Sequence, residues 1–146
     1  MFKHILIPTD GSELAQKAMK AGIAFAKAAG ARVTGYYAFH EPHFHHTRFE
    51  EVDESIRAEL ENRVRQASAR YLSVIEEEAK SNGVPFESLI TKAELPATGI
   101  IDAVNQCDCD VIFMASHGRS GISNLMLGSV TQDVLAHSKT PVLVFR

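Results

Sequence analysis

The chain has no basic excess, no apolar run long enough to cross a bilayer and only two cysteines, and each shortage removes a class of function. With 15 Lys and Arg against 18 Asp and Glu, the net charge is −3 and the pI about 6.1. Nothing stands ready to neutralise a run of DNA or RNA phosphates, so nucleic acid is not expected as the main partner. The opening MFKHILIPTDGS reaches Pro8 and Asp10 after a few apolar residues. That is too short for a signal h-region and far short of a membrane span, so a cytoplasmic protein with no membrane partner is expected. Cys107 and Cys109 flank Asp108, too close for a relaxed disulfide, without a Cys-x-x-Cys motif and with too few ligands for zinc. They read as free thiols without a function. Low-complexity tracts are also missing. With 146 residues, 45% apolar and 23% charged, one core is filled and two would be starved, so one domain over residues 1–146 is expected.

What is present alternates between two periods. KHILIP (3–8) is a short apolar run ended by Pro8 and the turn TDGS, and reads as a buried first strand. Residues 13–29 follow with helical spacing, capped by Ser12 and stopped by Gly30. ARVTGYYAF (31–39) gives a second strand. The polar stretch 40–54 has no steady period and reads as a loop or mobile lid. Ile56, Leu60, Val64, Ala67, Tyr71, Ile75 and Ala79 mark the inward face of a long helix that Asn82-Gly83 stops. A third strand (86–91), a helix opened by Pro96 and running to about Gln106, a fourth strand (111–115), a helix over 129–138 and a fifth strand (141–145) complete the chain. Strands alternating with helices imply an α/β fold: a single doubly wound, mostly parallel five-stranded sheet with helices on both faces. Ligands of such folds sit beyond the carboxyl ends of the strands, where strand order reverses. The candidate loops are therefore PTDGS, FHEPHFHH and SHGRSG.

Several catalytic motifs are absent as well. Ser116 and Ser120 do not satisfy the Gly-x-Ser-x-Gly elbow, and Ser116 and His117, adjacent after a strand, are expected to point apart rather than form a triad. Neither a Walker loop nor the Rossmann glycine fingerprint occurs. Phosphate binding needs only backbone N–H groups free to turn toward an anion and a helix N-terminus. Gly118 and Gly121 suit the first role, and Gly128, Ser129, Val130 and Thr131 the second.

Met114-Ala115-Ser116-His117-Gly118, nine residues, then Gly128-Ser129-Val130-Thr131 and a terminal Pro141-Val142-Leu143-Val144 resembles the universal stress protein family, and KHILIPTDGS resembles the family's opening. The resemblance covers essentially the whole chain and implies strand order 3-2-1-4-5. It also implies membership of the class that binds ATP, with Mg²⁺ as companion of the triphosphate, through Gly-x-x-Gly, nine residues, Gly-Ser/Thr. Ala115 replaces the first glycine of that pattern. Its methyl is tolerable if the backbone keeps a strand-end conformation and harmful if it needs positive φ.

By the same resemblance, Pro8, Thr9 and Asp10 line the nucleoside, with Asp10 on ribose hydroxyls or a metal. Ala38 meets adenine through its backbone, Met114 and Ala115 border sugar and base, and Gly118, Gly128, Ser129, Val130 and Thr131 enclose the triphosphate. Chemistry adds Arg119, whose guanidinium can pair with phosphate oxygens. Plainer roles stand beside these: Asp10-Gly11-Ser12 as a turn and cap, Ser129 as a helix cap, Arg119 as a solvated cation; His117 is open between a phosphate contact and a half-buried loop residue. His40, His43, His45 and His46, with Glu41, offer a divalent-metal site or a solvated loop. The resemblance implies a stress-response regulatory module that binds adenine nucleotide and pairs as a homodimer through its last strand, 141–146, an apolar sheet edge. The alternatives are a slow Mg-dependent nucleotide hydrolase or phosphotransferase, with Asp10 on the metal and His117 or Asp10 orienting water, and a signalling dimer without nucleotide.

Overall fold

The computed structural model describes residues 1–39, 54–119 and 126–146. Strands β1 (His4–Pro8), β2 (Arg32–Phe39), β3 (Phe86–Lys92), β4 (Val111–Ala115) and β5 (Val142–Phe145) form one parallel sheet in the order β3-β2-β1-β4-β5. Helices α1 (Glu13–Ala29), α2 (Glu54–Ser81), α3 (Pro96–Gln106) and α4 (Ser129–His137) connect them. This is the doubly wound order expected. From β1 the chain winds outward through β2 and β3, then returns to β4 and winds the other way. The switch point is the crevice between the carboxyl ends of β1 and β4.

The central strands are apolar on both faces because helices cover both. Ile5, Ile7, Val111 and Phe113 belong to the core beneath α1 and α2. Leu6, Ile112 and Met114, one residue out of phase, belong to the core beneath α3 and α4. Local signals set the helix ends. The Ser12 side chain accepts from the Ala15 N–H at 3.2 Å, and Gly30 closes α1 in the left-handed region at φ +65°.

Helix α2 departs from the expected pattern. Its buried residues are Ser68, Leu72, Ile75 and Ala79, whereas Ile56 and Leu60 are 53% and 37% exposed and Ala67 faces solvent. Twenty-eight residues of helix extend about 42 Å, while an eight-residue strand spans about 26 Å. The first turns of α2 therefore project past what the sheet can cover.

At the amino ends of the strands, opposite the crevice, His4 is buried. Its Nε2 lies 2.7 Å from Thr34 Oγ1, which donates to Glu87 Oε1 at 2.9 Å. Burial, then the Arg32 guanidinium, hold the His4 pKa below its ordinary value, against the opposing pull of Glu87. Cys107 and Cys109 are free thiols at the same end, and burial pushes Cys109 up to about 12.

Candidate functional site

At the carboxyl end of β1 the chain turns through side chain to backbone bonds. Thr9 N–H donates to Tyr36 O on β2 at 2.9 Å, and Thr9 Oγ1 accepts from Gly11 N–H at 3.1 Å. Asp10 Oδ1 accepts from Ser12 N–H at 2.9 Å, an Asx turn leading into α1. Asp10 Oδ2 accepts from Arg119 N–H at 2.8 Å, across the crevice. The carboxylate thus shapes its own turn with one oxygen and fastens the loop after β4 with the other. Among the described residues each oxygen accepts one hydrogen bond, which leaves a lone pair for a further donor.

Gly118 makes that clasp possible. A Cβ there would stand 2.5 Å from Asp10 Oδ2. Gly128 has a similar cause, since its Cβ would meet His117 Cα and Ser116 O, both at 3.3 Å. Gly128 N–H donates to Ser116 O at 2.8 Å, and the buried Thr131 hydroxyl reaches Ala115 O at 3.0 Å and Ser116 O at 3.2 Å. The end of β4 is thereby stapled to the start of α4. The N-cap of α4 is Gly128, not Ser129, and it has no side-chain cap. The first backbone bond back into the helix comes from Gln132 N–H to Gly128 O at 3.0 Å. The N–H groups of Ser129, Val130 and Thr131 therefore have no acceptor within the helix.

These pieces surround a cavity of about 310 Å³, at the lower end of the roughly 300–1,000 Å³ range of small-molecule clefts. Pro8, Thr9, Asp10, Ala38, Met114, Ala115, Gly118, Arg119, Gly128, Ser129, Val130 and Thr131 all line it. So do His117, left open between a phosphate contact and a loop residue, and Ala15, Tyr36, Tyr37, Pro96 and Ile100, which the candidate set lacked. Pro96 and Ile100 belong to α3, whose start follows β3 at the same end of the sheet. The two tyrosines immediately precede Ala38. The tyrosines adjoin a chosen loop, whereas the start of α3 follows β3, whose carboxyl end was not among the chosen loops. Tyr36, Pro96, Ile100 and Met114 make one apolar wall, while Asp10, Arg119 and the start of α4 make the other end polar.

Ala115 has an ordinary strand conformation: among the described residues only Asp108 combines a side chain with positive φ. It pairs with Phe145 and packs in the core beneath α1. Contrary to expectation, Ser116 and His117 do meet, with Ser116 Oγ 2.9 Å from His117 Nδ1. Both lie beyond Ala115, where β4 ends and strand alternation no longer holds. Ser116 is 2% exposed, and among the described residues the buried His117 Nε2 has no partner, so none of them orients a triad as its third group. Burial raises the Tyr36 phenol, against its hydrogen bond to Thr91. Among the described residues no three His, Cys, Asp or Glu side chains converge as metal ligands. The histidines at 40, 43, 45 and 46, the loop or lid over 40–53 and Gly121 lie outside the described residues.

A parallel, doubly wound α/β protein with a half-polar cleft at its switch point is the class that fold and site define. The model of the universal stress protein family matches residues 1–146, and the chain belongs to that family. A universal stress protein of Thermus aquaticus is 32% identical over 146 residues, all of both chains. The solved structure of MJ0577, from Methanocaldococcus jannaschii, has a TM-score of 0.83 at 30% identity, covering 99% of this chain and 95% of that one. Two further structures share the fold at 20% identity: a universal stress protein in complex with cAMP (TM-score 0.70; 99% of this chain, 97% of that one) and one from Archaeoglobus fulgidus in complex with dAMP (TM-score 0.62; 100% and 98%). Among the described residues no helix is long and apolar enough to cross a membrane.

Proposed function

We propose that this protein is a regulatory module that binds ATP in the cleft between β1 and β4. The observation that carries this reading is the N-terminus of α4, which has no side-chain cap among the described residues and whose first three N–H groups, on the cavity-lining Ser129, Val130 and Thr131, have no acceptor within the helix. Arg119 adds positive charge there, and the apolar wall of Tyr36, Pro96, Ile100 and Met114 suits a purine. Family membership and the adenine nucleotides held by two relatives of the same fold support it. Ser129 Oγ and a free lone pair of Asp10 are the oxygens from which this chain would help hold a Mg²⁺ carried by the triphosphate. Asp10 is engaged by two N–H groups, and among the described residues the ring of His117 is held only by the neighbouring Ser116 hydroxyl, so the geometry favours binding over turnover. Titration calorimetry with ATP tests the reading: saturable heat in the micromolar to millimolar range supports it, and its absence at millimolar nucleotide overturns it.

The half-buried edge strand β5 supports pairing of two copies through residues 141–146 in the cytoplasm. Sedimentation is expected to show a dimer, and a monomer at high micromolar concentration overturns that part.

A further inference from the structure

Arg119 projects from the loop after β4 and, among the described residues, has no carboxylate within ion-pair distance. Its guanidinium instead donates to the Tyr71 hydroxyl on α2 at 2.7 Å and lies over the Tyr71 ring, 5.5 Å from its centroid. Tyr71 is fixed from two further sides. Its ring stacks on Tyr37 of β2, with centroids 5.9 Å apart and planes 21° from parallel. Beneath it lies Gly11, where any Cβ would collide with the ring. The same arginine has its main-chain N–H held by Asp10. An exposed loop arginine is thus held at both ends, backbone by carboxylate and side chain by phenol.

The choice of a neutral partner matters. A carboxylate would hold the guanidinium but cancel its charge, whereas a phenol uses one of five N–H donors and leaves the charge available to an anion. Fixing a side chain beforehand also lowers the entropy lost when it later binds. Resting on the nucleotide reading above, we propose that Tyr71 is a positioning residue that holds Arg119 as the cation favouring polyphosphate over the bare nucleoside.

The test compares ATP with adenosine by calorimetry on the full chain. Tyr71→Phe keeps the stacked ring and removes only the hydrogen bond to Arg119. It is expected to weaken ATP binding about 3–10-fold, to leave adenosine binding unchanged, and to have no further effect once Arg119 is replaced by Ala. Equal losses for ATP and adenosine, or a Tyr71→Phe effect that persists in the Arg119→Ala background, would show a structural role and overturn the proposal. Tighter ATP binding in Tyr71→Phe would overturn it in the other direction, showing that the tyrosine competes with phosphate for the arginine. Unchanged ATP affinity overturns it while leaving the nucleotide reading intact, and no heat from either ligand in the unaltered chain overturns both.

Discussion

Gly118→Ala tests why a glycine occupies that position. Its φ is not positive, so backbone conformation does not demand glycine. Space does: an added Cβ would stand 2.5 Å from Asp10 Oδ2, and the carboxylate would have to swing off Arg119 N–H, now at 2.8 Å. A hydrogen bond to a charged group contributes about 1.5–3 kcal/mol. This one is exposed to solvent, which reduces the expected loss to about 1 kcal/mol. The same substitution in an Asp10→Ala background has no carboxylate to displace. There it should cost less than about 0.5 kcal/mol, or stabilise slightly by restricting the unfolded chain. Urea unfolding of the four proteins in this cycle should therefore give a coupling energy of about 1 kcal/mol. An equal cost in both backgrounds would refute the reasoning and place the need for glycine elsewhere in the loop.

Thr131→Val keeps the shape of a buried side chain but removes the staple from α4 to Ala115 O and Ser116 O; a loss of about 1–2 kcal/mol in urea unfolding is expected, and none would mean that the staple is dispensable. Burial keeps the folded-state pKa of His4 below 6.5, so the unfolded chain binds more protons as pH falls through that value and stability drops. Unfolding free energies between about pH 7.5 and about pH 5.5 should decline in the parent and decline less in His4→Gln; parallel slopes would refute this. Ala115→Gly, which restores the family's usual residue, should destabilise strand β4 by about 0.5–1 kcal/mol and leave ATP affinity within about twofold, because the methyl packs in the core; a tenfold gain in affinity would show that it obstructs the site.

The fold was legible because its signals are local and redundant. Pro8, Ser12, Gly30, Pro96 and Gly83 punctuate elements whose periods already differ, and the central strands are apolar on both faces, as a parallel sheet requires. The inward face of α2 was less legible. Periodicity in Ile56, Leu60 and Val64 shows that a helix is amphipathic, but not whether the sheet reaches far enough to cover it. The backbone of the candidate site was legible for a related reason, because strand ends, glycines and a helix start carry their own sequence marks. The contacts that give those marks their meaning were not. Asp10 Oδ2 on Arg119 N–H spans 109 positions and Arg119 on Tyr71 spans 48, and no period or spacing encodes a bond between residues on unrelated elements. For the same reason Thr131, grouped with phosphate donors by its place in the motif, proves to use its hydroxyl on the carbonyls that close β4. Its contribution to an anion site is confined to the backbone N–H, which no side-chain substitution short of proline removes. Mutagenesis of such a cradle therefore has most to learn from the glycines and from the side chains that hold the loops in place.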